Sequence, residues 1–380
     1  MFSFEVRQRE GKARLGRLIT PHGAVDTPVF MPVGTAGSVK GVTPDQLRSL
    51  GVQMVLANTY HLMLRPGAES VSALGGLHRM MAWDGPLLTD SGGYQVFSLA
   101  HLRTVDEAGV TFQSHIDGAE VRLSAESTIE IQRLLGADII MQLDECPPAA
   151  AGREQVATAA RRSAEWARRS HRVWQAGDTE RQALFGIQQG GVFGDLRALS
   201  AEQIVALDLP GYAVGGLRVG EDRQAMLGVL DAVDSQLPAD RPRYLMGIGE
   251  PRDILAGVLG GGDMFDCVLP TRNARNAQAF TWTGRIRLRN ARWAQDPRPL
   301  ADDCTCYACR HFSRGALRHL FLAKEMLAAT LVTLHNLRFF ADLMAAIRGA
   351  VAEGNLQGKA RQWVEAMYAR DDDGGRAVCV

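Results

Sequence analysis

The chain has no net charge, its 42 basic residues being balanced by 42 acidic ones. A protein that coats nucleic acid needs a basic excess, so that role is excluded, whereas an enzyme that meets RNA through a local patch is not. No apolar run is long enough for a bilayer-spanning helix, so no membrane partner is expected. Residues 1–18 mix charges of both signs and offer no secretory apolar stretch. Cysteine is sparse, six in 380 residues. No Gly-x-Gly-x-x-Gly follows the first strand-like runs, and no Gly-x-x-x-x-Gly-Lys loop occurs. Dinucleotide and ATP chemistry therefore lack support, and a cytoplasmic protein with reduced thiols is expected. What is abundant is glycine, 40 residues, many beside short apolar runs where strands end and loops begin.

Strand-like runs at 52–57, 138–143, 184–188, 212–215, 244–248 and 264–268 alternate with amphipathic stretches at 44–50, 124–135, 153–175, 195–207 and 223–233. Thr43 before Pro44, and Ser124 before an acidic partner, supply helix starts. Strand and helix alternating at this pace predict a parallel sheet, and the number of units favours a (β/α)8 TIM barrel over an open sheet. The expected organisation is an N-terminal strand-rich cap over 1–40, the barrel over 41–295, and a zinc-binding subdomain with C-terminal helices over 296–370. A further strand piece falls at 281–295 and one long helical stretch at 314–354, with a frayed tail at 371–380.

Cys304-x-Cys306-x-x-Cys309, followed on an apolar helix by His335, provides three soft thiolates and an imidazole. Together they fill a tetrahedral zinc shell and leave no position for substrate, which makes the ion structural. His311, two residues past Cys309, is a rival fourth ligand. A disulfide is the weaker reading, because CxC spacing strains the bridge. Cys146, Cys267 and Cys379 are scattered thiols.

The chemistry must then lie where the strands end, since a (β/α)8 barrel projects its functional groups from the C-terminal ends of its strands. Asn58 ends the first run; 87–89 lead into Asp90, Ser91, Gly92, Gly93 and Tyr94; 141–143 into Asp144, Glu145 and Cys146. The later runs end in Gln189, in Gly215 and Gly216, in Gly247 after Met246, and in Asp266. Such a set suits substitution at a sugar carbon: one carboxylate attacks an oxocarbenium-like centre and another handles the leaving-group proton. Asp and Gln offer acceptors and donors to the edge of a planar base, with Tyr94 and Met246 to cover its faces. The segment 271–275 is basic and directly follows the Asp266 strand, and 285–292 is a second basic stretch. Arg161, Arg162, Arg168 and Arg169 read better as a solvated helix face. Pattern alone does not name the substrate.

The motifs TDSGGYQVFSL (89–99), DECPP (144–148), FGIQQG (185–190), GYAVGGL (211–217), YLMGIG (244–249) and MFDCVLPTRNARN (264–276) resemble those of the bacterial tRNA-guanine transglycosylase family. MPVGT (31–35), NTYHL (58–62) and the cysteine segment with HNLR extend the likeness over nearly the whole chain. The resemblance implies exchange of guanine 34, in the anticodon loop of GUN tRNAs, for the 7-deazaguanine preQ1 on the route to queuosine. It implies Asp266 as nucleophile, holding a covalent ribosyl intermediate, and Asp90 as general acid/base. Asp144, Gln189 and the Gly216 backbone would read the base, with Ser91, Gly92, Gly93, Tyr94 and Met246 completing the pocket. RNA contacts would come from Gly247, Ile248, Gly249, Glu250, Pro251, Arg252 and Asp253, and from Thr271, Arg272, Asn273, Ala274 and Arg275. The resemblance also selects His335 over His311 for a zinc ion, and implies a homodimer. Cys146 and Val219 match the bacterial pattern and favour preQ1. Arg218 departs from the small residue common there. Rival readings are a non-catalytic tRNA-binding paralogue, which would lack the nucleophile, and a zinc-dependent hydrolase, which would need an open metal position.

Overall fold

The computed structural model describes residues 2–99 and 103–369, so the stretch read as a frayed tail lies outside the described residues. Eight short parallel strands form one sheet: Val29–Pro32, Val55–Ala57, Leu87–Thr89, Ile139–Met141, Ala183–Gln188, Gly211–Val214, Arg243–Leu245 and Met264–Cys267. From the second to the eighth each pairs with its neighbour in sequence, and the eighth returns to the first, Met264 opposite Val29 and Phe265 opposite Phe30. The last seam, between the first and second strands, closes through a parallel bridge from Val33 to Leu56, where the Gly34 N–H donates to the Leu56 carbonyl at 2.6 Å. The sheet is a (β/α)8 barrel. Its strands are apolar on both sides, as parallel strands covered by helices outside and by side chains inside must be. One cluster holds residues from all eight, including Met31, Leu56, Leu88, Met141, Phe185, Ala213, Tyr244 and Met264, and fills the interior as a packed core.

Leu18 and Val25, from an antiparallel sheet of Ser3–Glu10, Ala13–Thr20 and Gly23–Thr27, join that interior cluster and plug one end of the barrel. Arg14 fixes the plug: its guanidinium, fully buried, forms two hydrogen bonds with Asp263, whose carboxylate also accepts the Arg243 N–H at 2.8 Å. The chain enters the barrel at Val29, within the forty residues that read as cap. The strand pattern runs from the hairpins into Val29–Pro32 with no helix between, so periodicity alone cannot separate them.

Between the third strand and its helix lies a small antiparallel sheet, Arg103–Asp106, Gly109–Gln113 and Glu120–Ser124, which no sequence signal announced. The helix Ala125–Leu135 then starts with a capping box whose partner to Ser124 is Ser127, not the acidic residue expected. Glu126 is taken up by Arg169, whose hydrogen bonds pull its carboxyl down to about 2.

After the eighth strand come the helix Leu269–Arg275, a hairpin of Gln278–Thr281 and Gly284–Arg287, the cysteine segment, and the helix Arg314–Leu322. Only then does Met326–Glu353 occupy the place of the eighth barrel helix, with Phe340 against Phe30 (ring centroids 4.5 Å apart) and Arg348 donating to the Pro28 carbonyl at 2.8 Å. The single helical stretch expected over 314–354 is therefore two helices. The break is a Schellman cap: Lys324 sits at φ 59° and the Glu325 N–H reaches back to the Leu320 carbonyl at 3.0 Å.

Candidate active site and metal centre

Asp90 follows the third strand and is buried. Its Oδ1 accepts the Thr59 N–H at 2.8 Å, and its Oδ2 accepts the amides of Asn58 and, at 2.9 Å, Gln95. The Thr59 hydroxyl closes on the Asp90 carbonyl at 2.6 Å. Burial pushes the Asp90 carboxyl up to about 6, against these donors, and the charge of Asp266 adds to the rise. The charge of Asp266, 176 positions further along the chain, thus reaches Asp90 at the C-terminal end of the barrel.

Asp266, partly exposed, lies on the eighth strand. Its Oδ1 accepts the Tyr244 hydroxyl at 2.6 Å and the Gly247 N–H at 2.7 Å. Both donors engage the same oxygen. Burial raises the Asp266 carboxyl above the usual range while those two bonds hold it down. Tyr244 is pushed well up, first by burial and then by the charges of Asp266 and Asp90, so it remains a donor at any physiological pH.

Asp144, after the fourth strand, accepts the Ser91 hydroxyl on Oδ1 at 2.9 Å and the Gln189 amide on Oδ2 at 2.6 Å. Because that amide must donate to a carboxylate, Gln189 presents its Oε1 on the other side, buried and without a partner. Gly216, at φ 67°, passes so close that a Cβ there would lie 2.6 Å from this oxygen. Gly93 is equally constrained, since a Cβ would stand 2.5 Å from the Asp144 carbonyl. Tyr94 is half exposed, and burial together with the nearby Cys146 and Cys267 raises its hydroxyl. Gly92 packs on Tyr60, and Met246 is half-buried beside the interior cluster. Burial drives both Cys146 and Cys267 up to about 12, so neither is a nucleophile.

The segments expected to meet RNA divide sharply by exposure. Of 271–275, Thr271, Asn273 and Ala274 are buried, whereas Arg272 and Arg275 are exposed. Of 247–253, Ile248, Gly249, Pro251 and Asp253 are buried. Asp253 pairs with Arg223 at 3.0 Å and with Arg218 at 3.5 Å, so Arg218 ties the loop after the sixth strand to the first turn of the helix Pro251–Leu259. Glu250 accepts from Arg285 and from the Tyr368 hydroxyl, and the Arg252 guanidinium lies over the Tyr368 ring at 4.9 Å.

Sequence reasoning missed the supports. Arg197, fully buried, donates to the carbonyls of Gln188, Gly191 and Gly215 and so shapes the two loops that carry Gln189 and Gly216. Burial lowers its guanidinium to about 10. Nothing in the helix Gly194–Val205 marks that arginine as buried. Tyr244, by contrast, had a signal: its position in the seventh strand.

Cys304, Cys306, Cys309 and His335 bring their ligand atoms within 4.8 Å of one another. The three sulfurs stand 3.6, 3.8 and 3.3 Å from His335 Nδ1, while Nε2 faces the Phe280 carbonyl at 2.7 Å. That outer bond fixes the tautomer that leaves Nδ1 free to bind a metal. Hydrogen bonds from the Cys304 and Cys309 thiols pull Cys306 well down, and the bonds of Cys309 with Cys304 and Cys306 push its own thiol well up, as crowded sulfurs sharing protons do. The four donors can hold a metal ion. His311 is exposed and packs on Tyr307 at 4.6 Å between centroids, outside this group. Next to His335, Asn336 accepts the Phe280 N–H at 2.9 Å and donates to the Pro270 and Gln278 carbonyls at 2.9 and 3.0 Å. The metal centre is thereby joined to the helix that presents Arg272 and Arg275.

A family model described as queuine tRNA-ribosyltransferase matches residues 9–369. Proteins named queuine tRNA-ribosyltransferase are similar along their whole length. The one from Cereibacter sphaeroides is 53% identical over 373 residues, covering 98% of each chain. That from Solidesulfovibrio magneticus is 54% identical over 366 residues, 96% of this chain and 98% of the relative. That from Thermus thermophilus is 51% identical over 370 residues, 97% and 95% respectively. The barrel and the likeness over nearly the full length agree: the chain belongs to the queuine tRNA-ribosyltransferase family.

Proposed function

We propose that this ribosyltransferase exchanges guanine 34 of GUN tRNAs for preQ1, through a ribosyl ester on Asp266. The observation that carries the reading is the pair of carboxyls at the strand ends: Asp90, pushed to about 6 by burial and by the charge of Asp266, and Asp266, anchored through a single oxygen. Tyr244 and Gly247 hold Oδ1, so Oδ2 is the oxygen that attacks ribose C1′. The N-glycosidic bond breaks, its electron pair passes to guanine, and Asp90 in its acid form delivers the proton. The resulting carboxylate takes a proton from preQ1, whose nitrogen then attacks C1′ and releases Asp266. A group at about 6 serves both directions near neutral pH. One N-glycosidic bond replaces another, so no nucleotide energy is required. The anticodon loop lets the target base leave its stack more cheaply than a duplex would.

Base recognition is assigned to Asp144 and Gln189. Guanine and preQ1 each offer ring and exocyclic N–H donors, which would replace Ser91 and Gln189 on the Asp144 oxygens and release the Gln189 amide for the base carbonyl. Cys146 is buried, and Val219 lines a shallow cavity with Pro148, Gly191 and Gly216, which suits an aminomethyl substituent. Arg272 and Arg275 are assigned to phosphate, for which a guanidinium fork is matched. Cys304, Cys306, Cys309 and His335 would hold zinc, whose role is to brace the segment 269–275 rather than to touch substrate. A homodimer in the cytoplasm completes the proposal. Incubation with GUN tRNA and preQ1, followed by mass spectrometry of the tRNA, tests the exchange. Asp266→Asn should abolish the covalent protein–tRNA adduct trapped under denaturing conditions, and an adduct that survives would move the nucleophile elsewhere.

A further inference from the structure

At the opposite end of the barrel from Asp90 and Asp266, three residues from three elements meet at one point. His22 sits in the turn between Ala13–Thr20 and Gly23–Thr27, His78 lies on the helix Gly76–Met81, and Asp138 immediately precedes the fourth strand. His22 Nδ1 is 2.6 Å from Asp138 Oδ1 and His78 Nε2 is 3.2 Å from Oδ2. The imidazoles are stacked, centroids 3.6 Å apart and planes within 18°, so both present a nitrogen to the same carboxylate. We propose that His22, His78 and Asp138 form a second metal site, for a divalent transition ion of the zinc type, that clips the N-terminal sheet to the base of the barrel. The three ligand atoms lie within 4.8 Å of one another. Two imidazoles and a carboxylate are a donor set for zinc, cobalt, nickel or copper rather than for magnesium or calcium. A tetrahedral ion with bonds of about 2.0–2.1 Å spaces its donors roughly 3.4 Å apart. Admitting it requires the His22–Asp138 contact to open by less than about 1 Å and the His22 ring to turn out of its stack on His78, because an imidazole lone pair lies in the ring plane and parallel rings cannot share one ion; the His22 side chain, 41% exposed on its turn, has room for both. Asp138 is already held in place for a metal, since it is buried and the Leu87 N–H fixes its Oδ2 at 2.8 Å independently of either histidine.

The test uses the full chain carrying the ion of its cysteine cluster. After equilibrium dialysis against micromolar zinc, the wild type should hold two ions per chain by elemental analysis, and His22→Ala one. His171→Ala, altering a histidine on the helix Arg153–Gln175, should keep two. Zinc should raise the melting temperature of the wild type above that of the protein holding one ion, and should not do so for His22→Ala, since an ion that binds only the folded state stabilises it. Cobalt(II) added to the protein with a filled cysteine cluster should give a visible d–d band without thiolate charge transfer, and His78→Ala should remove it. One ion in the wild type would leave the trio a hydrogen-bonded clamp and overturn the proposal. Two ions retained in His22→Ala would overturn it as well, by placing the second ion elsewhere. Because the cysteine-cluster ion is counted in every variant, a misfolded variant is recognised by its loss, and the cobalt band of the wild type decides the matter on its own.

Discussion

Replacing Asp90 by Asn should make the protein more stable at neutral pH even as it destroys exchange. Burial raises this carboxyl from 3.8 to about 6. Between those values the folded protein keeps a proton that the unfolded chain has released, so stability falls as pH rises through the window and the loss is complete above it. About two pH units at 1.36 kcal/mol each amount to roughly 3 kcal/mol at pH 8. At pH 5 only part of that loss has developed, so the two pH values should differ by about 1.4 kcal/mol. An asparagine carries no charge and escapes the penalty. Its oxygen can stay toward the Thr59 N–H, while the Asn58 and Gln95 amides, which both donate to Oδ2, must each flip to offer an oxygen to the new N–H; Gln95 has a buried, unpartnered Oε1 available for this, and the Asn58 flip offsets part of the gain. Urea unfolding of both proteins from pH 5 to 8 measures the difference, with all unaltered groups common to the two. The expected result is an advantage for Asp90→Asn that grows with pH and levels off above 7. An advantage that is constant across the range, or a variant less stable at pH 8, would refute the placing of a near-neutral carboxyl at this position.

Other consequences are as direct. Arg14→Ala strands the Asp263 carboxylate in the plug, so unfolding free energy at pH 7 should drop by about 3–5 kcal/mol in denaturant titration; a loss below about 1 kcal/mol would show that the pair is not a structural lock. Gly216→Ala faces a positive φ and the Gln189 oxygen at 2.6 Å. Calorimetric guanine binding should weaken at least tenfold with a melting point within a few degrees of the parent, and undiminished binding would dissociate Gly216 from the base pocket. His335→Ala should lose the cysteine-cluster metal and His311→Ala should keep it, as read by elemental analysis; the reverse pattern would assign the fourth ligand to His311.

The local chemistry was legible from the chain. Short apolar runs ending in Asp90, Asp144, Gln189, Gly216 and Asp266 already placed their functional groups at one end of a parallel barrel, because strand direction and side-chain period follow from sequence. The cysteine spacing with His335 was equally readable, since metal geometry demands particular donors at particular separations. Where patterns are continuous, the chain gave no boundary: Val29–Pro32 belongs to the barrel only because Met264–Cys267 returns to pair with it. Likewise a periodic stretch at 314–354 does not announce the turn at Lys324, which an αL cap made without glycine hides. The supports were invisible for a different reason. Arg197, Arg14 and Asn336 carry ordinary polar side chains whose burial is decided by carbonyls and carboxylates distant in sequence. Sequence determined which groups this protein can bring to bear. Tertiary closure alone decided that the charge of Asp266 reaches Asp90, and that His22, His78 and Asp138 meet beneath them, because Coulomb and hydrogen-bond energies depend on distance in space and not along the chain.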